Sequence, residues 1–191
     1  MLAAGASTRL GRPKQLVRYD GEPLVRRAAR AAVAVGARPA VVVLGAHADL
    51  VAPALDGVAG ITVLVHACWQ DGLASSLVAG LVALDALAAD APPDGVLLTV
   101  CDQPRVDAVA LGMLLAAFGG PDTVVAAEYG GTLGVPAVVG RAHLNALRTL
   151  TGDAGAGRWL RAHRDLVTAV PLPAAAVDVD TPDDVAGLGG Q

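Results

Sequence analysis

The residues with the clearest chemical potential form a glycine-rich loop at the start of the chain. Residues 2–15 read Leu-Ala-Ala-Gly-Ala-Ser-Thr-Arg-Leu-Gly-Arg-Pro-Lys-Gln. Glycines and small side chains let a backbone wrap closely around a ligand, and successive N–H groups in such a loop attract anions. Arg9 and Lys14 add positive charge, and Lys14 is the only lysine beside thirteen arginines. The loop therefore predicts a polyphosphate-binding site. It has neither the Gly-Lys-Ser/Thr of a Walker loop nor the Gly-x-Gly-x-x-Gly spacing of a dinucleotide-binding loop. The alternative is a turn with solvated basic side chains.

A carboxylate follows an apolar run in the middle of the chain. Cys101-Asp102-Gln103-Pro104 comes directly after residues 96–100. An Asp at the carboxyl end of a buried strand faces the ligand crevice of a parallel sheet, where its hard oxygens suit Mg²⁺. Alternatively, Asp102 caps the helix that follows.

Four carboxylates lie within eight residues near the other end of the chain: Asp178, Asp180, Asp183 and Asp184. Asp183 and Asp184 fall in the first turn of a predicted helix that has Thr181 as its N-cap, and there they complement the helix dipole. Asp178 and Asp180 share a face if residues 176–179 form a strand. They are either a second source of Mg²⁺ ligands or part of a solvated turn.

Residues 73–80 place Ser75 and Ser76 at the predicted start of a helix, followed by Gly80. Free N–H groups at a helix start can receive a phosphate or a nucleobase edge. Ordinary capping by one of the two serines is the simpler alternative. The four histidines follow no metal-ligand spacing, and Cys68 and Cys101 are expected to be free thiols.

The elements that must position these residues alternate between strand and helix. Apolar residues make up 54% of the chain and aromatic residues 3%, so the core consists of Ala, Val and Leu. The apolar runs 40–44, 61–65 and 96–100 predict strands buried on both faces, with helical spacing between them. We expect one domain over residues 1–191, of the α/β class, with three α/β/α layers and a mostly parallel, Rossmann-like sheet.

Only Met1 and Leu2 precede the loop, although a loop of this kind normally follows a buried strand. Either the first strand is unusually short or the natural start lies upstream. The net charge of −4 argues against nucleic-acid binding. Because the sequence contains neither an apolar stretch of membrane length nor a secretory leader, a cytoplasmic protein without membrane contact is expected.

In this order the motifs resemble the MobA-like nucleotidyltransferases of molybdenum cofactor biosynthesis. The two alanines of the loop and its Pro13-Lys14-Gln15-Leu16 ending are similar to the cytidylyltransferase branch. The other matching motifs are Trp69-x-x-Gly72-x-x-Ser75-Ser76-Leu77-x-x-Gly80, Cys101-Asp102-Gln103-Pro104, Gly134-x-Pro136, Gly152-Asp153-x-Gly155 and Asp178-Val179-Asp180-Thr181-Pro182-x-Asp184. His66 and Val135 depart from the family pattern, which often has Asn and His there. The resemblance implies a fold of the nucleotide-diphospho-sugar transferase type.

The resemblance also implies an activity, which is transfer of CMP from CTP to molybdopterin with release of pyrophosphate and with Mg²⁺ as cofactor. It implies catalytic roles for Arg9, Lys14 and Asp102, and metal binding by Asp102 and Asp180. The implied nucleotide-binding residues are Leu2, Ala3, Ala4, Gly5, Arg9, Lys14, Ser75, Ser76, Gly80 and Asp102. Residues 129–136 and 152–155 would face the pterin. The alternatives are a related transferase that uses GTP or another phosphorylated acceptor, and a non-catalytic nucleotide- or cofactor-binding chaperone for a molybdo-hydroxylase.

Overall fold

Helices and strands alternate along the chain, which confirms the predicted α/β class. The computed structural model describes residues 1–188. The strands are β1 (Leu2–Ala3), β2 (Arg18–Tyr19), β3 (Glu22–Pro23), β4 (Ala40–Leu44), β5 (Ile61–Val65), β6 (Gly95–Leu98), β7 (Val124–Tyr129), β8 (Thr132–Gly140) and β9 (Val167–Pro171). The α-helices are α1 (Leu24–Ala34), α2 (Ala48–Val51), α3 (Leu73–Leu87), α4 (Ala108–Ala117), α5 (Leu144–Arg148), α6 (Ala156–Ala162) and α7 (Pro182–Leu188).

The short strand β1 joins the two halves of the main sheet. In one half β1, β4 and β5 pair in parallel, and the other half has the order β6-β8-β7-β9. Leu2 pairs with Val43 on one side and forms a parallel bridge to Val100 on the other, where its N–H donates to Thr99 O at 2.8 Å. Because the carboxyl ends of parallel strands meet at one edge of a sheet, the residues after β1, β4 and β6 lie near one another.

Strand β8 is the exception to the parallel arrangement, since it runs antiparallel to both β6 and β7. Strands β7 and β8 form a hairpin in which Tyr129 pairs with Thr132 across a tight turn. Gly130 and Gly131 form this turn with φ values of 57° and 74°, which glycine adopts without strain. Strand β9 is parallel to β7, so the sheet is mostly parallel with one reversed strand.

Helices cover both faces of this sheet, as the three-layer expectation requires. Alternate residues of β7 face opposite layers: Val124 and Ala126 join the cluster packed against α3, α5 and α6, while Val125 and Ala127 join the cluster packed against α1 and α4. Ala, Val and Leu dominate both clusters, as the composition predicts. No helix within residues 1–188 is long and apolar enough to cross a membrane.

Two local predictions are wrong, and one hairpin was not predicted. Strand β5 is not buried on both faces, because it is the edge strand of its half, and Val63 and Val65 are 39% and 58% exposed. The predicted strand at 176–179 is absent: a 3₁₀ turn ends at Ala176, and the residues after it are extended but unpaired. The small β2–β3 hairpin falls where no strand is predicted.

An apolar cavity of about 240 Å³ lies between β4 and β6, beside the start of β1. Its walls come from both strands and from helices on both faces of the sheet, and they include Met1, Val41, Leu77, Leu97 and Phe118. Since β1 has only two residues, the first halves of β4 and β6 face each other across this cavity without a strand between them.

Lengthening β1 should therefore stabilise the protein. Adding Ala-Val-Leu-Val before Met1 should pair with β4 and β6 and bury apolar side chains in the cavity, raising the melting temperature by about 3 °C or more. Thermal unfolding followed by circular dichroism measures the effect, and a Gly-Ser-Gly-Ser extension of the same length is the control. Equal melting temperatures for the two extensions would show that the cavity does not accept a strand.

Candidate active site

The loop that follows β1 is folded by its own backbone. Leu10 N and Gly11 N both donate to Ser7 O at 3.1 Å, and Ser7 and Gly11 have positive φ values of 55° and 73°. The chain then enters a 3₁₀ turn over Lys14–Leu16. The loop thus returns toward β1 and brings Lys14 back to the edge of the sheet.

Gln15 clamps this loop, a role that the sequence did not reveal. Its side chain is fully buried, and Nε2 donates to Ala3 O and to Gly5 O, both at 2.9 Å. Ser7 Oγ donates to Gln15 Oε1 at 3.4 Å and accepts from Lys14 N at 3.0 Å. The two donors of one amide therefore fix two carbonyls of the loop. The only sequence signal is an uncharged amide directly after the single lysine.

Lys14 connects the two carboxylates that were expected to bind metal. Its Nζ donates to Asp102 Oδ2 at 2.5 Å and to Asp180 Oδ1 at 2.8 Å, and Arg9 Nη2 donates to Asp180 Oδ2 at 2.6 Å. The side chains of Lys14, Asp102 and Asp180 are 16%, 20% and 24% exposed, whereas that of Arg9 is 71% exposed. The structure thus brings together Arg9, Lys14, Asp102 and Asp180, and Asp178 makes neither contact.

The ion pairs outweigh burial in setting the charge of this cluster. Burial alone would lower the pKa of Lys14, but the adjacent carboxylates of Asp102 and Asp180 raise it above its ordinary value. Burial would raise the pKa of Asp180, but hydrogen bonds and charge from Lys14 and Arg9 hold that pKa below its usual range. The ion pairs of Asp180 with Lys14 and Arg9 therefore stabilise the folded protein at neutral pH. This stabilisation is lost as the pH falls through the lowered pKa of Asp180.

Asp180 is positioned by the start of α7. Asp184 Oδ2 accepts hydrogen bonds from Asp180 N at 3.0 Å and from Thr181 N at 2.7 Å, while Asp184 N donates to Thr181 Oγ1 at 3.3 Å. This reciprocal capping agrees with the predicted roles of Thr181 and Asp184. The fully buried Val179 donates its N–H to Asp102 O at 2.9 Å, which ties the segment to the end of β6.

Asp102 does not cap the helix that follows it. The N-cap of α4 is Asp107, whose carboxylate accepts from Ala110 N at 2.9 Å. Cys101, one residue before Asp102, is buried, and burial together with the Asp102 charge raises the pKa of its thiol to about 12. The carboxylate of Asp102 is therefore not used for helix capping and pairs with Lys14 instead, while the neighbouring thiol of Cys101 stays protonated at neutral pH.

A cleft of about 400 Å³ opens between the loop and the start of α3. Seven of the proposed site residues line it: Leu2, Ala3, Ala4, Gly5, Lys14, Ser76 and Asp102. Its opposite side includes Trp69, Gln70 and Asp153. Trp69 fits closely because residue 45 is glycine: a Cβ there would lie 2.6 Å from Trp69 Cβ.

Ser75 and Gly80 were expected at the nucleotide, but neither lines this cleft. The N-cap of α3 is Gly72, and Ser75 Oγ donates to Gly72 O at 2.8 Å and lies 3.1 Å from His66 Nε2. Gly80 is buried against β4, where a Cβ would lie 2.9 Å from Val43 Cγ2. This glycine therefore serves helix–strand packing, and its placement does not support contact with a base.

Of the two segments expected to face the acceptor, residues 152–155 reach the cleft through Asp153, whereas none of residues 129–136 lines it. Gly152 O accepts from Ala74 N at 3.0 Å, so residues 152–155 pack on the start of α3. On the other side, Val135 O accepts from the Tyr129 hydroxyl at 3.1 Å and from Gln103 Nε2 at 3.0 Å. The buried Gln103 also donates to Ala175 O at 2.9 Å, a connecting role that no sequence pattern indicated.

The donor set fits a divalent cation that shares its coordination with a ligand. Within residues 1–188, no group of three or more His, Cys, Asp or Glu side chains is arranged to hold a metal ion. Asp102 and Asp180 nevertheless converge on one cation, the Lys14 ammonium. Two carboxylates are a sufficient protein contribution for Mg²⁺ or Mn²⁺ when substrate phosphates and water supply the other oxygens.

Known proteins resemble this chain in sequence and in fold. Nicotine blue oxidoreductase of Paenarthrobacter nicotinovorans is 34% identical over 193 residues, covering 95% of this chain and 90% of that protein. Rv0371c of Mycobacterium tuberculosis H37Rv superimposes with a TM-score of 0.76 at 29% identity, covering 98% of this chain and 94% of that one. Rv0371c has also been solved as a complex with manganese.

A nucleotidyl transferase of Methanothermobacter has the same fold, with a TM-score of 0.79 at 22% identity over 98% of this chain and 93% of its own. Residues 1–167 match the family described as the MobA-like NTP transferase domain. The chain therefore belongs to the MobA-like NTP transferase family and is a nucleotidyltransferase with the nucleotide-diphospho-sugar transferase fold.

Proposed function

We propose that this nucleotidyltransferase transfers CMP from CTP to the terminal phosphate of molybdopterin and releases pyrophosphate. The observation that carries the proposal is the cluster of Arg9, Lys14, Asp102 and Asp180 beside a cleft lined by the backbone of residues 2–5. Ala3 and Ala4 line this cleft with small side chains that are 4% and 6% exposed, which would let a nucleotide approach the main chain closely. The choice of CTP rests on the two alanines and the Pro-Lys-Gln-Leu ending of the loop.

The reaction needs an ionised nucleophile and stabilisation of negative charge. An oxygen of the acceptor phosphate, already ionised at neutral pH, attacks the α-phosphorus of CTP. The bond from that phosphorus to the bridging oxygen breaks, and the electron pair leaves with pyrophosphate, so no general base is required. Lys14 and Arg9 neutralise the phosphate oxygens as charge develops on the leaving group.

Mg²⁺ bound by Asp102 and Asp180 would supply further positive charge to the phosphates. The residues of the chain orient the reactants around it. Gln15 holds the carbonyls of Ala3 and Gly5 in place, which fixes the loop that receives the nucleotide. Asp153 and Trp69, across the cleft from the loop, border the side from which the acceptor would enter.

The 34% sequence identity to nicotine blue oxidoreductase favours a second candidate function. In this alternative the protein is an oxidoreductase that acts on nicotine blue or a similar compound. Incubation with nicotine blue and reduced nicotinamide coenzyme tests it, since loss of the coenzyme's absorbance would reveal electron transfer. The transferase proposal expects no coenzyme oxidation above the rate without protein.

A nucleotide competition tests the proposal directly. With molybdopterin and Mg²⁺, we expect pyrophosphate release from CTP at least about tenfold faster than from GTP or ATP, a ratio that corresponds to about 1.4 kcal/mol of transition-state preference. Mass spectrometry of the pterin product identifies the transferred nucleotide. Faster release with GTP would indicate the guanylyl alternative, and nucleotide binding without release would indicate the chaperone.

Removal of charged side chains should affect turnover far more than folding. Lys14→Ala and Asp102→Ala should each lower kcat/KM by about 100-fold or more, because each removes charge stabilisation of the transition state. Their free energies of unfolding should change by only about 1 kcal/mol, since partly exposed ion pairs contribute little to stability. Arg12→Ala, in an exposed position of the same loop, is the matched control and should retain activity. Near-normal turnover in either test variant would remove the assignment.

Gln15→Leu tests the loop clamp. It keeps the approximate size of the side chain but leaves Ala3 O and Gly5 O without their buried donor, which should cost about 1–3 kcal/mol of unfolding free energy. The KM for the nucleotide should rise, because the freed loop must be ordered on binding. Urea unfolding and steady-state kinetics measure the two effects. Unchanged stability and unchanged KM together would contradict the clamp.

A further inference from the structure

The four charged groups beside the cleft balance one another in the absence of any ligand. Asp102 and Asp180 contribute two negative charges, and Lys14 and Arg9 contribute two positive charges. Lys14 Nζ lies between the carboxylates, 2.5 Å from Asp102 Oδ2 and 2.8 Å from Asp180 Oδ1. The position where a divalent cation would meet both carboxylates is therefore held by an ammonium group of the protein itself.

A divalent cation that enters alone must disturb this balance. To reach the carboxylates it has to displace the Lys14 ammonium, whose side chain is only 16% exposed. The displaced charge would then lack a partner in a partly desolvated position, which is unfavourable. Binding of the metal alone should consequently be weak.

A triphosphate that enters alone meets the converse difficulty. It has to draw Lys14 and Arg9 away from the carboxylates, which leaves Asp102 and Asp180 uncompensated near each other and near the polyanion. When metal and triphosphate arrive together, the metal takes the carboxylates and the phosphates take the two basic side chains. Only this joint exchange leaves every charge with a partner.

Building on the function proposed above, we propose that Lys14 is an internal counter-ion that occupies the metal position until a triphosphate draws it away. Metal and nucleotide binding are then coupled, because the ion pairs within the protein are exchanged for pairs of the carboxylates with the metal and of the basic side chains with the phosphates. The residue type suits this role. Lysine is a point charge with freely rotating donors on a flexible stem, whereas the planar guanidinium of arginine locks onto a carboxylate through paired hydrogen bonds. In a chain that otherwise uses arginine, the only lysine stands where a positive charge has to change partners.

Mn²⁺ binding in the absence of nucleotide provides the first test. The paramagnetic resonance signal of free Mn²⁺ reports binding to the full chain without any activity measurement. We expect Lys14→Gln to bind Mn²⁺ at least about tenfold more tightly than the unsubstituted protein, because the competing ammonium is gone. Arg12→Gln, which removes the same charge from an exposed position of the same loop, should leave the affinity unchanged.

Two further variants keep this test decisive. Lys14→Gln combined with Asp102→Asn should lose the gain in Mn²⁺ affinity, which would locate the ion at the carboxylate pair. If Lys14→Gln does not fold, as judged by its thermal transition, Arg9→Gln replaces it and should show a smaller gain, since Arg9 contacts only Asp180. A folded Lys14→Gln variant that binds Mn²⁺ no more tightly than the unsubstituted protein overturns the proposal.

Nucleotide binding without metal provides the reciprocal test. In the presence of a chelator, Asp180→Asn should bind CTP at least about tenfold more tightly, because it frees Arg9 and leaves Lys14 with Asp102 as its remaining carboxylate partner. The matched control is Asp153→Asn, which removes the same charge from the same cleft without freeing a basic side chain. Fluorescence of Trp69, which lines the cleft, is the readout, and Trp69→Phe identifies its signal. Equal gains in the two Asp variants would contradict the counter-ion role.

The outcomes separate this proposal from the proposed function. Tighter Mn²⁺ binding by Lys14→Gln without pyrophosphate release from the unsubstituted protein would retain the counter-ion and reject the CTP transferase. Pyrophosphate release by the unsubstituted protein, together with unchanged Mn²⁺ affinity in Lys14→Gln, would retain the CTP transferase and reject the counter-ion.

Discussion

The pairing of Leu2 is the constraint on which the rest of the site depends. This residue pairs with Val43 on one side and bridges to Val100 on the other, and so unites the two halves of the sheet. The glycine-rich loop begins at its carboxyl end, and Asp102 follows the neighbouring strand at the same edge. Gln15 then fastens the loop to carbonyls that this pairing has already placed. A slip of β1 by one residue would therefore move the backbone of the cleft and separate Lys14 from its carboxylates.

Much of the fold and part of the site could be predicted because they follow from periodic patterns. Apolar runs that alternate with helical spacing indicate a parallel sheet, and the parallel strands place Asp102 near the loop although 88 positions separate Asp102 from Lys14. Asp180 was harder to place, since no strand carries it. Its selection over Asp178 depends on reciprocal capping between Thr181 and Asp184, which orients one carboxylate and leaves the other aside.

Other features could not be predicted from the sequence, and the reasons are physical. Gln15 and Gln103 act through buried hydrogen bonds to backbone carbonyls, and such bonds leave no periodic trace in a sequence. Gly80 could serve a ligand or close helix packing equally well, and only its distance to Val43 separates the two. The exposure of β5 depends on its place at the edge of the sheet, because an edge strand and a central strand can share the same apolar composition.

The reversed strand β8 has a consequence for how specificity can change. A parallel strand delivers its last residues to the ligand edge, but β8 delivers its first residues, 132–136, directly after the Gly130–Gly131 turn. Changes of sequence or length at that turn would alter the residues that contact Gln103, next to Asp102, without altering the register of the strands that carry the glycine-rich loop. The fold therefore lets one hairpin vary beside the charged cluster while the glycine-rich loop keeps its own backbone support.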